Sequence, residues 1–407
     1  MRTGWQLKSL SEIATHSLGK MLDKEKNKGD PKPYLRNFNV RWFDFDLSDV
    51  QEMRFQKEER ERYSVVKGDL IICEGGYPGR AAIWDKDESV YFQKALHRVR
   101  FHEPARARWL LYYLYMKDLD GSLKSHFNGT GIQHLTGEAL AQFKMPLPPL
   151  GEQRAIVAIL DVAFEGIATA KANAEKNIQN ARAIFESQLQ SVFTERGKTW
   201  KRRTLEEIAT TFGRGKSKHR PRNAPHLYGG KYPFVQTGDI RNADHIITGY
   251  SQTYSEAGLA QSKLWPKGTI CITIAANIAE TAILGFDACF PDSIIGVVAN
   301  PKEADVGFIE YLLQSFKVRI QAMGKGSAQA NINMGTFENE QFPFPSVNEQ
   351  QRIVAELDGL SGETQRLDSI YERKLAALEA LKKSLLHSAF SGALTAQKAA
   401  ARVEAAA

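Results

Sequence analysis

The sequence predicts an α+β protein: two pseudo-symmetric mixed α/β domains separated by a long antiparallel two-helix coiled coil. Three observations carry this. The chain repeats itself at an offset near 197 residues. Each repeat ends in a long run of seven-residue hydrophobic periodicity. The rest of each repeat consists of short β-like runs broken by turns.

The repeat is clearest where MPLPPLGEQRAIVAILD (145–161) meets FPFPSVNEQQRIVAELD (342–358). Nine of the 17 positions are identical, including Pro146/Pro343, Glu152/Glu349, Gln153/Gln350 and Asp161/Asp358. The same offset pairs Ser187, Leu189, Ser191 and Phe193 with Ser384, Leu386, Ser388 and Phe390. The fronts of the repeats also match, with drifting offsets. WQLKSLSEIAT (5–15) pairs with WKRRTLEEIAT (200–210), and YLRNFNVR (34–41) with FVQTGDIR (234–241). Drift of this kind places loop insertions on a shared scaffold. The resulting division is a first domain over 1–148, a helix over 149–197, a second domain over 198–345, a helix over 346–394 and an Ala-rich tail over 395–407.

In the first helix Ile156, Leu160, Ala163, Ile167, Ala170, Ala174, Asn177, Ala181 and Ile184 follow 4-3 spacing. In the second, Ile353, Leu357, Leu360, Thr364, Leu367, Tyr371, Lys374, Leu378, Leu381 and Leu385 do the same. A strict seven-residue period predicts a left-handed coiled coil. The two seams share one register, so the helices are expected to pack on each other. Antiparallel pairing follows if the second helix returns along the first, with one domain at each end. Pro148 and Pro345 precede the starts, Gly392 follows the second end, and Asn177 and Lys374 interrupt the seams, either fixing register or facing solvent.

In the domains, segments 69–76, 79–84 and 90–101 read as strands, as do 269–274, 280–286 and 294–299. WLLYYLYM (109–116) and FIEYLLQSF (308–316) read as helices covering the sheets.

Composition bounds the chemistry. With 43% hydrophobic and 25% charged residues the 407-residue chain can bury sizeable cores. The net charge of +7 suits a polyanionic partner, although a basic protein without one is an equal reading. Cys73, Cys271 and Cys289 form no CxxC pair, so neither a disulfide framework nor a zinc site is expected. The absence of a signal-like leader or a long apolar stretch points to the cytoplasm and away from membranes. No catalytic constellation stands out. GRGKS (213–217) looks like the end of a phosphate loop, but Thr210 stands where the first glycine is needed.

Several segments instead carry side chains able to hydrogen-bond base edges. These are Arg36, Asn37, Asn39 and Arg41, with counterparts Gln236, Thr237, Asp239 and Arg241, and then Gln93, Lys94, His97 and Arg98. The glycine-rich loop 128–136 adds Gln133 and His134, and its counterpart 324–333 adds Lys325, Gln329 and Asn331. Phe38, Trp42 and Phe43 read as packing residues rather than base stackers.

The two proline-led helix openings (148–161 and 345–358), the fronts WQLKSLSEIA and WKRRTLEEIA, and the segment HSAFSGAL (387–394) resemble the specificity subunit of type I restriction–modification systems. The resemblance covers nearly the whole chain. It implies a non-catalytic, DNA-binding chain whose two target-recognition domains each read half of a bipartite, gapped site in double-stranded DNA. The helices would set the gap and dock two methyltransferase subunits, with Glu152, Gln153, Glu349 and Gln350 at the docking helix starts. Restriction subunits could join. The complex would use S-adenosylmethionine, and ATP and Mg2+ with restriction subunits, none held by this chain. Three other readings stand beside it: a detachable recognition subunit of a fused nuclease–methyltransferase system, an enzyme acting on DNA alone, and a coiled-coil scaffold.

Overall fold

A computed structural model describes residues 4–23, 25–219, 221–275, 278–324 and 334–395. The chain divides into two compact units, residues 1–174 with 373–407, and residues 175–372. Each unit holds one sheet domain and a half of each long helix.

In the first unit one sheet orders its strands as Ala14–Leu18, Leu96–Phe101, Leu70–Cys73 and Ala81–Ile83. A second sheet runs Gln51–Phe55, Asp30–Leu35, Val90–Phe92 and Ser64–Val65. Gln6–Ser9 pairs with Lys144–Leu147 beside the helix start. The covering helix Arg106–Leu119 buries Trp109, Leu110, Leu111 and Leu114 against Leu70, Ile72 and Val99, and Phe390 of the second long helix packs at a tilt on Trp109, 4.6 Å between ring centres.

The second unit repeats this order. Its first sheet runs Ala209–Arg214, Ile294–Ala299, Ile270–Thr273 and Thr281–Leu284, with Ile246–Ile247 as an added edge. Its second sheet runs Gln252–Tyr254, Tyr228–Phe234, Ala288–Cys289 and Leu264–Trp265. Lys201–Arg203 pairs with Phe342–Phe344, and helix Val306–Ser315 covers the core.

The strand at 90–101 is in fact two. Ala95 takes φ 81°, and the turn Gln93–Ala95 passes the chain from one sheet to the other. The second sheet escapes the apolar pattern for a physical reason. Asp30–Leu35 carries Pro31 and Pro33, which are tolerated because only Tyr34 and Leu35 pair on the strand's other side. Of the segment 213–217 only Gly213 and Arg214 belong to the strand Ala209–Arg214, and residues 215–217 leave it as irregular chain.

The long helices span Leu150–Thr194 and Val347–Ser391. Within the first unit Lys171 meets Glu379 at 3.4 Å and Lys382 lies 5.3 Å from the Phe164 ring. Within the second, Asn177 donates to Tyr371 (3.0 Å), Arg182 pairs with Asp368 (2.8 Å) and Gln188 donates to Glu356 (3.0 Å). Numbers rise on one helix as they fall on the other, so the pairing in each unit is antiparallel. The seam departs from strict 4-3 spacing. Ile184 is 60% exposed while Phe185 and Leu189 turn inward, and Lys374 is exposed while Leu375 turns in. A helix of 3.6 residues per turn drifts about 20° per heptad against a seven-residue pattern, enough to hand the buried position to the next residue.

Candidate nucleic-acid interface

The first domain gathers its loops at one end of its first sheet. Strand Ala14–Leu18 ends in Gly19 and Lys20, which lie against the turn Gln93–Ala95: Gly19 N donates to the Leu96 carbonyl (3.0 Å) and Lys94 N to the Lys20 carbonyl (2.7 Å). A Cβ on Gly19 would run into the Gln93 carbonyl, so only glycine fits the crossing. Beside the turn, Glu74 N donates to the Ala95 carbonyl (2.8 Å), and Leu135 N donates to the Glu74 carbonyl (2.8 Å). Asn37 closes the row by donating its side-chain amide to the Gly75 carbonyl (3.1 Å). Five sequence-distant segments thus form one continuous rim.

This rim unites Asn37, Gln93, Lys94, Gln133 and His134. Lys94 and Gln133 are exposed, and the other three are half-buried. The remaining candidates have work inside the domain. Asn39 is buried, caps Arg36 N (2.9 Å), and donates to the carbonyls of Asp46 and Asp49. Arg36 pairs with Asp49 (2.8 Å) and Arg41 with Asp46 (3.1 Å), and both guanidinium groups lie over the exposed Phe38 ring. Phe38 is therefore a surface aromatic, while Trp42 and Phe43 pack on Tyr115. His97 is buried against the Leu135 carbonyl (3.0 Å), and burial lowers its pKa. Arg98 is buried on the carbonyls of Glu61 and Ser64, and burial lowers its pKa too.

The second domain repeats the crossing. Gly215 N donates to the Ile294 carbonyl (2.9 Å), and a Cβ there would meet the carbonyls of Phe290 and Pro291. Gln236 N is capped by Asp239 (2.8 Å) as Arg36 N is by Asn39, and Gln236, Thr237, Asp239 and Arg241 stand on the short helix Thr237–Arg241 and its cap. Lys325, Gln329 and Asn331 lie outside the described residues.

The structure also exposes what residue-type matching passed over. Each crossing glycine opens a basic loop. In the first domain Lys26, Lys28 and Lys32 are exposed. In the second Arg214, Lys216, Lys218 and Arg222 are exposed, with Arg222 paired to Asp292 at 2.8 Å. The signal was present as Gly19-Lys20 and Gly215-Lys216, offset by 196, each followed by a run of cations. Insertions between the repeats hid it.

At the helix starts the Glu-Gln signature has an internal role. Gln153 is buried and donates to the Pro148 carbonyl (2.7 Å). Gln350 is buried, donates to the Pro345 carbonyl (3.0 Å) and accepts from Asp305 N (2.8 Å). Glu152 accepts from the Trp5 indole (3.3 Å) and the Thr395 hydroxyl (2.7 Å), and Glu349 pairs with Arg352 (3.1 Å).

Among the described residues no group of three or more His, Cys, Asp or Glu side chains could hold a metal ion, and no helix is long and apolar enough to cross a membrane. The α+β frame is duplicated, and each copy carries a glycine crossing followed by exposed cations beside the paired helices. Residues 2–180 and 197–372 match the type I restriction modification DNA specificity domain, and the chain belongs to that family, whose members recognise DNA and leave catalysis to other subunits. It is similar to the putative type I restriction enzyme MjaX specificity subunit of Methanocaldococcus jannaschii (23% identity over 95% of this chain and 92% of that one). It is also similar to the EcoKI specificity subunit of Escherichia coli (22% over 97% and 90%). These relatives are named as type I subunits, so the fused nuclease–methyltransferase alternative is not favoured. In fold it is similar to the HsdS subunit of Thermoanaerobacter tengcongensis (TM-score 0.63, 20% identity, 96% and 98% covered). A chain from a structural study of assembly and conformational transition in the type I R-M system gives a TM-score of 0.77 at 19% identity, with 96% and 98% covered.

Proposed function

We propose that each domain reads one half of a bipartite, gapped site in double-stranded DNA through its rim, while the long helices set the gap and dock two methyltransferase subunits. The observation that carries this is the convergence of Asn37, Gln93, Lys94, Gln133 and His134 beside the Gly19 loop, together with the matching Gly215 crossing and its basic loop. The exposed lysines and arginines hold phosphates and set register, and the amides and imidazole face base edges. The domain limits are those of the repeat, 1–148 and 198–345, and each helix of 45 residues is about 68 Å long at ~1.5 Å per residue.

The methyltransferase subunits bring S-adenosylmethionine. Restriction subunits, where they join, bring ATP and Mg2+. The assembly works in the cytoplasm, where the DNA is. Co-expression of the chain with its methyltransferase subunits and mapping of methylated adenines in host DNA tests the proposal. One gapped motif modified in both halves is expected. A stable complex that methylates without any gapped motif would overturn it.

A further inference from the structure

The same rim carries a feature that hydrogen bonding to bases does not explain. Ile132 stands at the tip of the loop 128–134 and is 76% exposed. The loop is a closed hairpin: Asn128 N donates to the His134 carbonyl (2.8 Å) and His134 N to the Asn128 carbonyl (2.9 Å). Asn128 is further fixed by its amide on the Thr136 hydroxyl (3.2 Å). Gly129 takes φ 108°, and any side chain on it would run into the Ile132 carbonyl. The hairpin is fastened to the sheet end through Leu135. A branched apolar side chain is thus held out on a narrow, pre-organised support, with only Gly131 and Gln133 as chain neighbours.

The rim around it is equally unusual. On the Gly19 loop Met21 and Leu22 are 59% and 50% exposed, ahead of the exposed Lys26 and Lys28, while Lys20 is buried and paired with Glu59. There Asn27 donates its amide to the Met21 carbonyl (3.1 Å) and the Asp23 carboxylate accepts from the backbone N–H of Glu25 and of Lys26. Apolar tips on a rim that also carries the exposed Lys26, Lys28 and Lys94 suit a ligand that is anionic outside and apolar within. Stacked base pairs behind a phosphate backbone have that character, and apolar wedges are driven between base steps where proteins kink DNA.

We infer that Ile132 is a wedge that enters a base step of the first domain's half-site and partly unstacks it, so that this half-site is read by its deformability as well as by hydrogen bonds. The inference rests on the rim being the DNA face. Flexible pyrimidine–purine steps are the ones it favours.

The test uses the complex of the full chain with its methyltransferase subunits and duplexes of the mapped site. 2-Aminopurine is placed at successive steps of the first half-site, and end-to-end bending is read by energy transfer. The expected result is a fluorescence rise at one step, lost in I132A together with most of the bend. Affinity should fall about five- to twentyfold, and I132L should restore all three. Preserved fluorescence and bend in I132A would overturn the wedge. The triple variant K26A/K28A/K94A separates the two levels. If it weakens binding while I132A keeps the bend, the wedge alone fails. If it leaves the affinity and its salt dependence unchanged, the rim is not the DNA face and both readings fall.

Discussion

At the scale of single residues, Gly19 and Gly215 decide more than any candidate reader. Each lets a strand cross beside a carbonyl that a methyl group would strike, and each launches a basic loop. Gly19→Ala should cost about 3 kcal/mol of the first unit's stability, seen as a lowered unfolding transition, because neither neighbouring backbone can retreat. An unshifted transition would mean that the crossing is loose. Lys26→Ala with Lys28→Ala touches no core residue. It should leave the fold intact, weaken binding to all DNA sequences alike, and flatten the logarithmic salt dependence by about two. Residue types marked segments that the fold brings together, but several of the marked side chains are already engaged inside the domain. Asn, Arg and His serve turns and buried carbonyls as readily as bases, and Asn39, His97 and Arg98 spend themselves in that way. The basic loops went unread because the repeat's offset drifts there.

At the scale of elements, the long helices and main strands were legible because a heptad run and a short apolar run each have one economical fate. The residue-level seam was not, since drift passes burial to a neighbour. Phe185, packed near Tyr311, should therefore cost about 3 kcal/mol when cut to alanine, against under ~0.5 for Ile184, as a pair of melting curves would show. Equivalent turns also solved one packing problem twice. Phe43 (φ 68°) and His245 (φ 66°) both pack on covering-helix tyrosines, Tyr112 and Tyr311, which donate to Asp161 and Asp358. Where the first domain has buried Leu111, the second has buried Glu310, 2.6 Å from the His245 imidazole. Burial of the imidazole opposes its charge, but Glu310, with Asp358 and Asp244 nearby, raises the His245 pKa above its ordinary 6.5. A raised folded-state pKa means the pair's stabilisation is full below pH 6.5 and fades as pH climbs through the raised value. The second unit should thus lose stability on the alkaline side. His245→Ala, leaving Glu310 buried alone, should cost about 3 kcal/mol, whereas H245F/E310L copies the first domain and should flatten the pH profile. A profile unchanged in the double variant would place the titration elsewhere.

At the scale of the whole molecule, duplication separates what is read from what measures. Each unit has its own hydrophobic clusters and its own glycine crossing, so a reader should be exchangeable provided its seat on the helices is kept. That seat is specific in the first unit. Asp161 of the first long helix receives both Arg108 (2.7 Å) and the Tyr112 hydroxyl (2.6 Å), Lys382 of the second lies over Tyr115, and Phe390 packs at a tilt against Trp109 and Tyr113. A donor domain replacing residues 1–148 must therefore bring an arginine, a tyrosine and an aromatic floor at these positions, whatever its rim. With them kept, methylation mapping of the chimera should show one half of the gapped motif replaced, with the other half and the gap length unchanged, because both helices and the second rim are untouched. A donor lacking Arg108 and Tyr112 should leave Asp161 without its partners, and the complex should lose methylation instead of changing its motif. If a well-seated donor altered both halves or the gap, reading and measuring would be coupled through the helices, and the independence that duplication suggests would have to be given up.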